Sequence, residues 1–538
     1  MSNQKADKIL SSNTVFTGLM DKPQPASIAI IDNKIEAIGS EEEIKQFIGP
    51  DTEVYHYDNQ IIMPGFHDNH LHIMMGSISL DSVNLFEARS EIEAVEMVRQ
   101  FADSKPDEPW ILGYTWDAGY WDNKQLPHRS SLDKVIPNRP VILFHAEGHY
   151  AWVNTKALEM MNIDRDTDNP PFGIIEKDEN GELTGILYEK AMSLVTKEAY
   201  HLSKQKKTAI FENFLRHASS LGVTSINDLY GTESMEVLDD YQLFKEFDDN
   251  DKLTVRIHLW PALNGDIERA KQLRERYASE KLIVSGLKQF IDGVITARTA
   301  YLLEPYADEP QAAGDTSHPP ETMKEWVIKA DKEGFDIRFH AIGDGAIRLA
   351  LDSFENAQKE NGVRDSRHSI EHVEVIHPDD ISRFKQLGVI ASMQPNHLAM
   401  SERSVYTSRI GKEREKLAFV INTLKESDAI SFGTDFPIDG LNPLIQIYRA
   451  ITRIDSSGVS VWNPEEKITL SNALKAYTNG PAYSTNREHE LGTLEAGKLA
   501  DIVVLDRNLF DVPTDEILDT KVKLTMINGD IVYNSDIT

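Results

Sequence analysis

The chain has 538 residues, no cysteine and a formal charge of −31 at pH 7. That length exceeds one ordinary core and predicts two or three domains, and the lack of cysteine excludes disulfides, iron–sulfur clusters, zinc ribbons and thiol catalysis. An acidic surface repels phosphate backbones, so nucleic acid is not an expected partner. No apolar run reaches the roughly 18 residues of a membrane span, and no basic stretch followed by an apolar one opens the chain. The expected setting is therefore the cytoplasm, away from membranes.

In chain order, the first clear element is SIAIIDNKIEAIG, two β-rich runs around an Asp32-Asn33 turn. Its counterpart near the other end is LADIVVLD followed by KLTMINGDIVY, with a hairpin signal at Asn528-Gly529. Neither segment can bury an apolar face alone, so residues 1–60 and 485–538 are expected to form one β-sandwich domain.

Between them, IIMPGFHDNHLH opens a series of β-rich runs: 222–228, 254–260, 286–293, 335–343, 367–373, 389–395 and 430–437. Amphipathic stretches such as AIRLALDSFENAQKE fall between many of them. Eight such units predict a (β/α)₈ barrel over 61–76 and 206–484. The interval from His72 to Gly222 is about 150 residues, where a barrel unit takes about 30. It carries its own aromatics and turns, and 77–205 is read as an inserted subdomain roofing the barrel mouth.

The stretch PGFHDNHLHIMMG places Asp68, His70 and His72 on one face of an extended strand and His67 on the other. His70 and His72 can reach one metal ion from the C-terminal end of the first strand, where barrels place their active sites. His67 is expected to face the helical shell. Three later strands end in His340, His372 and Asp435. Lys288 shares a face with Phe290 and Asp292, and an inward lysine without a partner has a depressed pKa. Two readings of it stand open. It becomes a carbamate and an anionic ligand, or it pairs with Asp292 or Glu304.

Taken together, PGFHDNHLH, GVTSIND, KQFIDG with TAYLLEPY, HAIGD, RHSIEH, QPNH and GTDFP resemble the amidohydrolase superfamily, and within it the YtcJ-like branch. WILGYTWD, GHYAWVN and LGTLEAGKLADIVVLD extend the resemblance over nearly the whole chain. It implies a deformed (β/α)₈ TIM barrel with a β-sandwich and a divalent metal centre, zinc being the first expectation, with one or two ions. By matching motif, His70 and His72 would hold the first ion, Lys288 the bridging position, and His340 and His372 the second ion. Asp435 would ligate and serve as acid and base, with His372 beside it in catalysis. His67 departs from the pattern, which has an aliphatic residue there.

The implied reaction is hydrolysis of a C–N bond in a small non-peptide amide. The same centre could act on an ester, a cyclic amide, an amine to be deaminated or a carbon–halogen bond. A metal-binding sensor without catalysis would be expected to lack a ligand, yet all six positions are filled. His149 matches a motif histidine of the branch and is the expected substrate contact, with Trp116, Asp117, Gln394 and His397 as further pocket residues. The partner is a small-molecule substrate, and the amphipathic exterior is compatible with a homodimer.

Overall fold

The structure, a computed structural model, describes residues 4–231, 238, 240–425 and 430–537. Its centre is a parallel barrel of strands β1 (Phe66–Leu71), β2 (Val223–Leu229), β3 (Arg256–Trp260), β4 (Gly286–Phe290), β5 (Asp336–Ala341), β6 (Ser369–His372), β7 (Ile390–Met393) and β8 (Ile430–Phe432). Hydrogen bonds run continuously from β1 to β3 and from β4 to β8. The ring closes through isolated bridges, Ala262 to Lys288 on one side and Leu71 to Phe436 on the other. This deformed barrel contains every one of the eight predicted strands.

The shell helices follow the apolar periodicity of the sequence. In the helix Asp344–Asn361, Ile347, Leu351 and Phe354 are buried on one stripe, and the helix stops at Gly362 with φ 88°. Each such side chain taken out of water contributes about 1.5–3 kcal/mol.

Both ends of the chain meet in one mixed sheet. Strands Lys8–Val15, Gln24–Ile31, Lys34–Gly39, Glu53–Tyr57 and Ile62–Pro64 share it with Ile502–Leu505, Val522–Ile527 and Asp530–Asn534. Ile62–Pro64 pairs with Ile502–Leu505 and joins the two contributions. The predicted hairpins turn at Asp32-Asn33 and Asn528-Gly529.

The interval after β1 holds a second sheet of six strands between Val83 and Glu189. It has its own core, with Trp116, Trp121, Trp152, Val141 and Leu143.

One expectation about strand facing is corrected. His67 does not face the helical shell. Its ring stacks on His258 at 5.2 Å between centroids, and it meets the Asn227 amide 3.2 Å from Nε2. His258 shares the face of Trp260, whose ring lies against the Arg338 guanidinium of β5 at 4.1 Å. Arg338 donates to the Asn69 backbone carbonyl from across the ring, so this face is the barrel interior. The reason is a pair of register irregularities between β1 and β2, which break simple alternation.

Candidate metal centre and active site

At the C-terminal mouth of the barrel, His70 Nε2 and His72 Nε2 each stand 3.3 Å from Asp435 Oδ1. The other nitrogen of each ring is committed. His72 Nδ1 is 2.8 Å from the Leu229 carbonyl, which can only accept, so Nδ1 carries the proton. His70 Nδ1 is 2.8 Å from Glu371 Oε2, and Glu371 is held ionised against its burial by Arg338 and His70. Both rings therefore turn lone pairs, not protons, toward the carboxylate oxygen. Oδ1 has no hydrogen-bond partner among the described residues.

Three lone-pair atoms converging without a proton call for a cation. Ligands about 2.1 Å from a tetrahedral ion stand about 3.4 Å apart, which these separations match. The residues thus fit a divalent metal, and His70, His72 and Asp435 form one three-ligand group.

Around this triad the structure gathers more of the expected residues. The His372 ring lies 4.9 Å from that of His70 and 4.4 Å from that of His340. Burial pushes the pKa of both His340 and His372 well down, keeping lone pairs available. Both His372 nitrogens lack a partner among the described residues. His372, Val373 and Asp435 have φ of 74°, 50° and 62°, unusual for such side chains, and this backbone turns the strand ends inward.

Lys288 is fully buried, its Nζ has no hydrogen-bond acceptor among the described residues, and burial pulls it to about 8. Neither Asp292 nor Glu304 is its partner. Asp292 instead accepts the backbone N–H groups of Ile342, Gly343 and Tyr301, and burial pushes it up to about 8.

His397 and Glu374 form a second side of the site. His397 Nδ1 is 3.2 Å from Glu374 Oε1, and Glu374 Oε2 also accepts from the Tyr406 hydroxyl at 2.8 Å. This turns His397 Nε2 toward Asp435 Oδ2, 3.7 Å away. With His372 the pair makes another group able to hold a metal. Gln394 is buried and both ends of its amide lack partners among the described residues.

The interval after β1 places His149 beside this centre. His149 bonds Glu189 at 3.0 Å and its ring lies 5.5 Å from that of His340. Burial opposes its charging, but Glu189 prevails and raises its pKa to about 9. Beside it lies a cavity of about 720 Å³ between the inserted unit and the barrel loops, with Asp117, His145, Glu189, Thr296 and Arg409 in its wall. Trp116, expected to touch substrate, is instead fully buried among Trp121, Trp152 and Tyr150, and donates to the Leu143 carbonyl. The neighbouring Asp117 is the one that reaches the cavity.

Glu371, Glu374 and Glu189 were not among the sequence-derived candidates. The signal for the first two lay in SIEHVE, where carboxylates flank His372.

A parallel barrel with histidines and a carboxylate converging at its mouth defines a metal-dependent hydrolase. The chain belongs to the amidohydrolase family, whose model matches residues 57–533, and within it to the YtcJ-like metal-dependent hydrolases. It is 32% identical over 537 residues to Protein LONG AFTER FAR-RED 3 of Arabidopsis thaliana, covering 98% of this chain and 92% of that one. It is 29% identical over 528 residues to the putative amidohydrolase YtcJ of Bacillus subtilis, covering 96% and 98%. The solved structure of an uncharacterized metal-dependent hydrolase from Pyrococcus horikoshii superposes with a TM-score of 0.77 at 26% identity, over 94% of this chain and 99% of that one.

Proposed function

We propose that the protein hydrolyses the C–N bond of a small non-peptide amide, with zinc as its ion. The observation that carries the reading is the proton-free convergence of His70 Nε2, His72 Nε2 and Asp435 Oδ1. A cavity of 720 Å³ beneath a roof suits a small molecule better than a polypeptide. Two imidazoles and a carboxylate at near-tetrahedral separations suit zinc.

A divalent ion held there supplies the Lewis acidity that makes water nucleophilic at neutral pH and polarises the amide carbonyl. Asp435 takes the proton of the attacking water and returns it to the departing nitrogen. His397, oriented by Glu374, and His372 lie 3.7 and 4.0 Å from Asp435 Oδ2 and would donate to an oxyanion developing beside it. His149, held by Glu189, contacts the substrate from the roof.

In this reading Lys288 would carry a carbamate and supply an anionic oxygen to the metal centre. Its buried, unpartnered amine is partly neutral near pH 8, and the neutral amine is the form that adds carbon dioxide. Elemental mass spectrometry on protein purified without a metal-affinity tag tests the arrangement. Two ions per chain, falling to one in Lys288→Ala, support it. One ion in both proteins returns Lys288 to an electrostatic role. For the reaction itself, amine release from a panel of N-acyl amides is the readout. A zinc-loaded protein that cleaves matched esters and no amide overturns the C–N assignment.

A further inference from the structure

The cavity wall contains an arginine, Arg409, two of whose donor nitrogens have no hydrogen-bond acceptor among the described residues. Arg409 lies on the helix Arg403–Glu415, three residues after Tyr406 and so on the same face. Tyr406 bonds Glu374, which holds His397 toward Asp435. Arg409 is therefore one turn along the helix from the tyrosine that holds Glu374 and, through it, His397. Its side chain is only 17% exposed, and its nearby carboxylate, Asp308, stands 3.9 Å away. Asp308 is already bound by Arg298 at 2.7 Å. Arg409 Nε and Nη1 are buried without an acceptor among the described residues.

Of the other charged side chains in this wall, Arg298 holds Asp308 and the exposed Asp315 accepts the Thr316 N–H at 2.7 Å. Lys124 pairs with Glu402 at 2.8 Å, Glu189 with His149, and Asp117 accepts the Gly119 N–H at 2.6 Å. Glu147, behind the wall, accepts from the Thr296 hydroxyl. A largely buried guanidinium with unmet donors is costly, and its planar fork matches a carboxylate.

We propose that Arg409 binds a carboxylate carried by the substrate, so that the amides cleaved here are anionic. This rests on the amide-hydrolase reading above for the rest of the substrate. The carboxylate can sit on the amine side of the scissile bond, as in an N-acyl amino acid, or on the acyl side, as in the monoamide of a dicarboxylic acid. The recognition chemistry is the same.

Calorimetric titration of the zinc-loaded protein with two matched pairs tests it. One pair is N-acetylphenylalanine and its neutral carboxamide; the other is succinanilic acid and its neutral carboxamide. At least one acid should bind about tenfold or more tightly than its neutral partner. At matched zinc content the ratio should fall toward one in Arg409→Met and be partly kept in Arg409→Lys. Equal affinity within both pairs, including no saturable binding of any member, overturns the proposal. So does an undiminished preference in Arg409→Met, which would mean the metal or another group holds the acid. Turnover is read in the same samples. Acids that bind through Arg409 yet are never cleaved would sink the amide reading and leave the Arg409 contact standing.

Discussion

His70 of β1 and Glu371 of β6 meet across the barrel, with Nδ1 2.8 Å from Oε2. Glu371 also takes the Ser392 hydroxyl at 2.5 Å and faces Arg338 at 3.5 Å. This fixes the tautomer and tilt that present His70 Nε2 to the ion. Removing such a partner usually costs 10- to 100-fold in metal affinity. Glu371→Gln should weaken zinc binding by about that factor, read by competition with a chromophoric chelator. Wild-type affinity would mean that packing alone orients His70.

Asp435 has two assigned roles, as ligand and as proton carrier. Asp435→Asn should lower turnover by about 10³-fold or more while the melting temperature of the metal-free protein stays near that of wild type. Chelation of the wild-type protein should likewise abolish turnover, and zinc should restore it. Near-normal turnover by Asp435→Asn would remove the acid–base assignment.

The His149–Glu189 pair gives a pH signature in the metal-free protein. The folded-state pKa near 9 lies above the ordinary 6.5, so protonation stabilises the fold. The contribution is complete below pH 6.5, falls as pH rises, and is lost above 9; a difference of that size is about 3 kcal/mol. Glu189→Gln should therefore be less stable than wild type at pH 6, with the gap closing by pH 9.5. Denaturant titrations showing a constant gap across that range would refute the ion pair.

Gly433 lies against the ligand strand. A Cβ there would come within 2.4 Å of the His70 backbone nitrogen and 2.9 Å of Asp68 Oδ1. Asp68 in turn holds His70 N–H and the Thr434 hydroxyl. Gly433→Ala should push β8 from β1, destabilise the protein by about 1–3 kcal/mol and weaken zinc binding. Unchanged zinc affinity would show that the seam yields without moving Asp435.

The eight strands were legible because barrel strands are apolar or β-rich runs ending in polar residues. Side-chain direction was less so. The rule of alternation admits His372 or Glu371 to the interior, yet both face it, because positive φ at His372 and Val373 turns the chain after Glu371. The register irregularities between β1 and β2 did the same for His67. Glu374 and Glu189 escaped notice because each acts through a histidine brought to it by the fold. Trp116 and Asp117 are adjacent in sequence, but only the packing of the inserted sheet decides which one looks outward.

The pairing of Ile62–Pro64 with Ile502–Leu505 has a consequence for the order of folding. Two residues after Pro64 the chain enters the strand that aims His70 and His72. The footing of that strand is thus a contact between segments distant in sequence. The second sheet, with its own core, can consolidate from nearer contacts. Contacts so far apart in the chain form slowly, so the first ligands gain a fixed base only once the two distant segments have joined.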